Sequence, residues 1–199
     1  MGPKGKLMAD TARDWVNAEA RVGPWEGQWL LAHTSHLGRV DRAALRARER
    51  AFRLTGFSEF VTGLWCRPAN LVESAAATRE RLLALGLERD AVIMQADELP
   101  GTREQNLRRL WPARELTRAY KRQIKAMDAS TGRVARLALN EAARETLIVG
   151  EGVIRQINAD PLLPEEMIDT ALRRDMVAGM VAYDELGRGV WAQFIEAAG

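Results

Sequence analysis

Cysteine and histidine are scarce: the 199 residues include one cysteine, Cys66, and two histidines, His33 and His36. A single thiol excludes an internal disulfide and a cysteine-built zinc site. Beside Trp65 in a short apolar run, Cys66 reads as a small buried side chain. Long apolar runs are missing as well, since stretches such as Leu30 to Ala32 and Leu147 to Val149 fall far below the ~18 residues that cross a bilayer. Met1 to Asp10 has two lysines with no apolar segment behind them, unlike a secretory signal. The expectation is a cytoplasmic protein with no membrane partner.

Sequence signatures of catalysis are also lacking. Gly150-Glu151-Gly152 and Gly187-Arg188-Gly189 lie inside helical patterns, with no strand before them and no Lys-Ser/Thr after, which rules out phosphate loops. There is no Gly-x-Ser-x-Gly elbow. Thr34-Ser35-His36 offers a hydroxyl next to an imidazole, but adjacent residues on an extended chain face opposite sides. The two histidines, three apart at a strand end, would need a third ligand to hold a metal, and Asp41 is near only in sequence. No catalytic residue, metal or cofactor is expected, and the chain is not expected to be an enzyme.

What is present is a clear succession of elements. Ala12, Trp15, Val16 and Glu19 fall at helical spacing over 9–20, stopped at Val22-Gly23-Pro24. Trp29 to Thr34 reads as a buried strand. A helix follows from Asp41 through Leu54, with Ala44, Leu45, Arg48, Ala51 and Phe52 on one face and Gly56 at its end. Phe57 to Val61 and Leu64 to Arg67 are β-prone runs separated by Thr62-Gly63, the spacing of a tight hairpin. Asn70 is expected to cap a helix running to Leu85, and Ala91 to Ala96 reads as a last strand. The order β-α-β-β-α-β is the ferredoxin-like pattern, two helices on one face of a four-stranded antiparallel sheet.

After Pro100 the pattern is helical only: 103–110, 112–129, 134–158, 165–181 and 184–197. Asp160-Pro161-Leu162-Leu163-Pro164 interrupts it as a rigid connector. The expected fold class is therefore α+β, with a lead-in over 1–23, a ferredoxin-like domain over 24–100 and an all-helical C-terminal domain over 101–199.

The formal net charge of +2 hides an uneven distribution. Residues 101–136 carry ten basic and three acidic side chains, whereas 137–199 carry five and eleven. Arg114, Arg118, Arg122 and Lys125 fall at steps that line one helix face. Three readings stay open for that stripe. It is a solvated face offset by the acidic C-terminal helices, a seat for a phosphate-bearing ligand, or a nucleic-acid contact, although no helix-turn-helix or zinc finger is present to read bases.

Tryptophan is the one plentiful aromatic, with six residues. Trp15, Trp25 and Trp29 cluster around Pro24, while Trp65 and Trp111 mark later junctions. They serve either as core anchors or as walls for an aromatic acyl group on a phosphorylated carrier. On the second reading the candidate effector-binding set is Trp25, Trp29, His33, Trp65, Trp111, Arg114, Arg118 and Arg122.

Several strings carry a resemblance. Pro24-Trp25-Glu26-Gly27-Gln28-Trp29 ahead of the strand Leu30-Leu31-Ala32-His33-Thr34-Ser35, then Gly56-Phe57 and Gly63-Leu64-Trp65-Cys66-Arg67-Pro68-Ala69-Asn70-Leu71, resemble the central domain of PaaX-type transcriptional repressors. Asp160-Pro161-Leu162-Leu163-Pro164 and Tyr183-Asp184-Glu185-Leu186-Gly187-Arg188 are similar to the C-terminal domain of the same family. The resemblance implies a bacterial homodimeric regulator of phenylacetate degradation, with a Cas2-like central domain and an acyl-coenzyme A effector such as phenylacetyl-coenzyme A. It also implies that operator DNA is read only through an N-terminal winged helix. Pro3-Lys4-Gly5-Lys6 is similar to the end of that domain's wing, so the expectation is a chain from which it is missing.

Cas2 nucleases place an aspartate at the end of the first strand, where this sequence reads His33-Thr34-Ser35-His36, so metal-dependent nuclease chemistry is not expected. The alternatives are a small enzyme acting on coenzyme A thioesters and a nucleic-acid-binding module using the basic helix 112–129.

Overall fold

A computed structural model of the chain describes residues 14–97 and 102–198. Strand β1 spans Trp29–His33, helix α1 Arg42–Leu54, β2 Ser58–Val61, β3 Leu64–Pro68, α2 Ala75–Ala84 and β4 Val92–Ala96. Four helices follow: α3 Thr102–Arg108, α4 Ala113–Val134, α5 Leu139–Asn158 and α6 Thr170–Ala198. The strands form one antiparallel sheet in the spatial order β2-β3-β1-β4. The fold is thus mixed α+β, a four-stranded antiparallel sheet with a helical C-terminal part. Among the described residues, no helix is long and apolar enough to cross a membrane.

By internal contacts the chain divides into two compact units. Among the described residues, the sheet unit is 20–97 and 102–113 with 159–168, and the helical unit is 114–158 and 169–198 with 14–19. This division differs from boundaries at 23 and 100. Residues 102–113 stay with the sheet because Leu107 and Trp111 are buried there, and 159–168 returns to it through polar anchors described below. The helix expected over 9–20 lies partly outside the described residues, as does Pro3-Lys4-Gly5-Lys6. The described part is two 3-10 turns, Asp14–Asn17 and Glu19–Arg21.

Local chemistry accounts for the sheet unit. Asp41 starts α1 by accepting the backbone N–H of Ala44 at 3.1 Å and of Ala43 at 2.8 Å, and those bonds hold its carboxyl below the usual range. In β1, Leu30 and Ala32 alternate inward and pack with Trp65 against Phe52 of α1 and Leu82 of α2. The opposite face carries Leu31, Leu64, Val92 and Met94, and Val61, Val92 and Met94 are exposed there. Gly63 closes the hairpin at φ +78°, and a Cβ on it would sit 2.7–2.8 Å from Ser35. Only glycine meets both conditions.

Asn70 does not cap α2. That helix starts five residues later, where Ser74 Oγ accepts the Ala77 N–H at 3.2 Å. Asn70 is fully buried, and its Nδ2 donates to the Leu162 carbonyl at 2.7 Å across 92 residues of sequence. Beside it, the buried Arg67 guanidinium donates to the carbonyls of Thr55, Pro68 (3.1 Å) and Pro161 (3.4 Å) and to Asn70 Oδ1 (3.3 Å). Burial pushes Arg67 down to about 9, so it stays charged at neutral pH among carbonyl acceptors. Leu162 adopts a left-handed φ of 52°, uncommon for a branched side chain, and Asp160 Oδ1 accepts its N–H at 2.8 Å. The Asp160–Pro164 segment is non-helical and buried, as a rigid connector requires.

In the helical unit, the pair of helices expected over 165–181 and 184–197 is one helix of 29 residues. Nothing between Val181 and Asp184 breaks it, and Tyr183 is buried with its hydroxyl 2.6 Å from Ser130 Oγ of α4. Residues 165–167 form a turn, and Asp169 accepts the Ala171 N–H at 3.1 Å as α6 begins. Helix α4 extends to Val134, so α5 starts at Leu139 rather than 134. A core of Val134, Ala142, Ala143 and Val190 joins the three helices.

Candidate functional site

The sheet unit brings three of the candidate tryptophans together. Trp25 meets Trp29 edge-on at 5.3 Å between ring centroids, and Trp29 stacks on Trp111 at 6.2 Å. Trp111 Nε1 donates to the Gly56 carbonyl at 3.2 Å and Trp25 Nε1 to the Gln28 carbonyl. The Arg108 guanidinium lies 4.8 Å over the Trp25 ring, held by Glu104 at 2.8 Å. All three indoles are buried, and Trp29 fully so. Trp29 and Trp111 stack on one another and Arg108 covers the Trp25 ring, which is the geometry of packing anchors. Trp29 Nε1 is buried with no hydrogen-bond partner among the described residues.

Trp65 stands apart. By strand alternation it lies on the helix-covered face of the sheet, where it stacks on Phe52 at 4.7 Å. Arg108 was not legible as a member of the Trp25 cluster, its one sequence signal being the four-residue spacing from Glu104.

At the end of β1, His33 Nε2 and Ser35 Oγ share a hydrogen bond of 2.5 Å, while His36 Nε2 donates to the Asp90 carbonyl at 2.9 Å. The strand ends at His33, and Ser35 and His36 lie in the turn closed by the Leu37 N–H donating to the Thr34 carbonyl at 3.0 Å. In that turn the hydroxyl–imidazole pair joins Ser35 to His33, while His36 reaches Asp90. The imidazole rings lie 5.2 Å apart. Among the described residues, no three His, Cys, Asp or Glu side chains come close enough to hold a metal. Ser35 also lines a hollow of about 100 Å³ with Arg39, Arg48 and Glu59. Cys66 is fully buried, and that burial pushes its thiol up to about 12, which keeps it protonated and unreactive near neutral pH.

The helical unit holds the arginines. Arg114, Arg118, Arg122 and Lys125 are all exposed along α4, the solvated basic row that their spacing requires. Arg118 Nε donates to the Arg114 carbonyl at 3.3 Å. Trp25, Trp29, His33, Trp65 and Trp111 thus belong to one compact unit and Arg114, Arg118 and Arg122 to the other.

Sequence reasoning missed a cavity of about 240 Å³ between α5 and α6. Its floor is Gly150, Met180 and Tyr183, with Ile154, Gly187 and Trp191 on its sides. The readable signal was the pair of glycine doublets, set aside as non-phosphate loops, each of which puts one glycine on the stripe where the helices face each other.

These features define a mixed α+β protein with a four-stranded antiparallel sheet and a three-helix part bearing a cavity. No protein-family model matches the chain, and no curated protein matches it. Among solved structures it is similar to an uncharacterized protein, Rv0674, from Mycobacterium tuberculosis, with 19% identity over 94% of this chain and 73% of that one and a TM-score of 0.62. At that identity the likeness is one of fold.

Proposed function

We propose that this protein is a non-enzymatic transcriptional regulator of the PaaX type, with a ferredoxin-like, Cas2-like sheet unit, that pairs with a second copy and senses an aromatic acid or its coenzyme A thioester. The observation that carries this reading is the joint made by two of the strings that resemble that family. Arg67 and Asn70 grip the backbone of Pro161 and Leu162, so strings far apart in sequence act as one structural device. The element order β-α-β-β-α-β with spatial order β2-β3-β1-β4 supports the ferredoxin-like assignment.

Pairing is supported by the exposed apolar side chains Val61, Val92 and Met94 on the sheet face away from α1 and α2. Phosphate binding is supported by the exposed arginine row of α4. The burial of Trp25, Trp29 and Trp111, packed together with Arg108 over Trp25, favours a structural role for them over direct contact with the acyl group.

Calorimetry with a panel of aromatic and aliphatic acyl-coenzyme A compounds tests the sensing half. Saturable binding of an arylacetyl thioester is expected, and heats indistinguishable from buffer for every compound would discard it. Sedimentation at tens of micromolar tests pairing, with a monomer counting against it.

One observation favours a second reading, a small thioester-cleaving enzyme: the Ser35–His33 hydrogen bond beside a hollow. Thiol release from phenylacetyl-coenzyme A that disappears in Ser35→Ala would establish it, and no release would remove it.

A further inference from the structure

We infer that the exposed basic row of α4 is a contact surface for the phosphate backbone of double-stranded DNA, held without regard to base sequence. The buried side chains Ala119, Tyr120, Met127, Ser130 and Val134 define one side of that helix. At about 100° per residue, Arg114, Arg118, Lys121, Arg122 and Lys125 fall within an arc of about 100° on the opposite side. All five are exposed. The row from Arg114 to Lys125 is about 16 Å long.

Two independent observations point to an anionic partner. The first is charge left over. Arginines elsewhere are paired: Arg108 with Glu104, Arg188 with Asp184, and Arg133, farther along α4 itself, with Glu145. Among the described residues, none of the five cations of the row has an ion-pair partner. Glu115 and Asp128 border the row, which leaves a net charge of +3 on that face. The second is spacing. Arg114 and Arg118, Arg118 and Arg122, and Lys121 and Lys125 are like charges four residues apart, and each such pair destabilises a helix. Arg114, in the first turn, also opposes the helix dipole. A helix face that only meets water gains from alternating signs, whereas a polyanion laid along this row compensates every repulsion in it.

The surroundings select a duplex among polyanions. No exposed large apolar side chain lies on α4, so nothing there enters a bilayer. Its one aromatic residue, Tyr120, is buried and offers no ring on which unpaired bases could stack. Each strand of B-DNA presents one phosphate per ~3.4 Å of axis, about five over the length of the row. The acidic excess of residues 137–199 repels a duplex from the rest of the helical unit and steers it to α4. The inference uses the row to which the acyl-coenzyme A reading assigns phosphate, but it rests on the charges and not on that reading. If both hold, the two ligands compete.

The test follows fluorescence anisotropy of labelled duplexes of about 20 base pairs, in two unrelated sequences, with the full chain from about 25 to about 200 mM salt. Both duplexes are expected to bind alike and more tightly than a single strand, with log K falling against log salt at a slope of about −3 or steeper. Arg118→Ala/Arg122→Ala and Lys121→Ala/Lys125→Ala are each expected to flatten the slope by about 2 and to weaken binding at low salt about tenfold or more. Their melting temperatures are expected to hold or rise, since like-charge pairs are removed. Arg144→Ala/Arg155→Ala, at exposed positions of α5, is expected to keep most of the affinity. The inference is overturned if no saturable binding is seen at the lowest salt, if the α4 variants bind as the wild type does, if the α5 variant loses as much as they do, or if the single strand binds more tightly. Duplex binding that phenylacetyl-coenzyme A does not displace supports this inference and removes the acyl-coenzyme A reading from α4. Binding of the thioester without binding of the duplex does the reverse.

Discussion

Asn70 illustrates how a side chain's role is decided by what lies far from it in sequence. Asparagine ahead of an alanine-rich run is a reasonable helix cap, yet the cap is Ser74, and the Asn70 amide is spent on the Leu162 carbonyl. No local pattern announces that partner. Replacing Asn70 by Ala removes a donor from a buried carbonyl and an acceptor from Arg67. A loss of about 1–3 kcal/mol is expected, read from the shift of the urea unfolding midpoint. Cys66, by contrast, was legible: a lone thiol in a short strand is buried, and its thiol is pushed up to about 12. It is expected to resist a disulfide-forming thiol reagent at pH 8 in the native protein and to react once the chain is unfolded in urea. Rapid reaction of the native protein would contradict the packing described for β3.

At the scale of elements, periodicity located nearly every helix and strand because burial of one face sets the spacing of apolar residues. Junctions were less legible. The break expected between Val181 and Asp184 does not exist, since Tyr183 is a core residue tied to Ser130 rather than a loop residue. Gly56 ends α1, but its left-handed φ of 77° also brings it against the 160–164 segment, where a Cβ would sit 2.7 Å from the Pro161 oxygen. Gly56→Ala is therefore expected to cost more than the ~1 kcal/mol of a left-handed backbone alone, visible as a lowered melting temperature.

The ion pair of Arg48 on α1 with Glu88 at the approach to β4 gives a pH signature. The Arg48 hydrogen bond holds the Glu88 carboxyl below the 4.5 of a free side chain. A depressed folded value means that the stabilisation is fully present above the unfolded value and is lost as pH falls through the folded one. Urea midpoints measured from pH 7 down to pH 3 are expected to fall less steeply in Glu88→Gln than in the parent.

For the whole molecule, the α+β class and the all-helical C-terminal part were readable, whereas the membership of the two units was not. A segment that leaves the helices to pack on the sheet is invisible to periodicity, because Asp160 to Pro164 has none. The candidate site was legible only in part for the same reason. Clustering around Pro24 marked Trp25 and Trp29 without saying whether they meet, and the stacking of Trp111 on Trp29 and the seclusion of Trp65 on the other face depend on the sheet register. The cavity between α5 and α6 escaped notice because its marker is an absence of side chains.

The proposed regulator senses an aromatic acyl thioester through the basic face of α4. The most direct measurement is a calorimetric titration of phenylacetyl-coenzyme A into the wild-type chain and into Arg118→Ala/Arg122→Ala at constant ionic strength. Saturable binding to the wild type, weakened about tenfold or more in the variant, is the predicted result. Equal affinity in the two proteins, or no saturable heat in either, would contradict it.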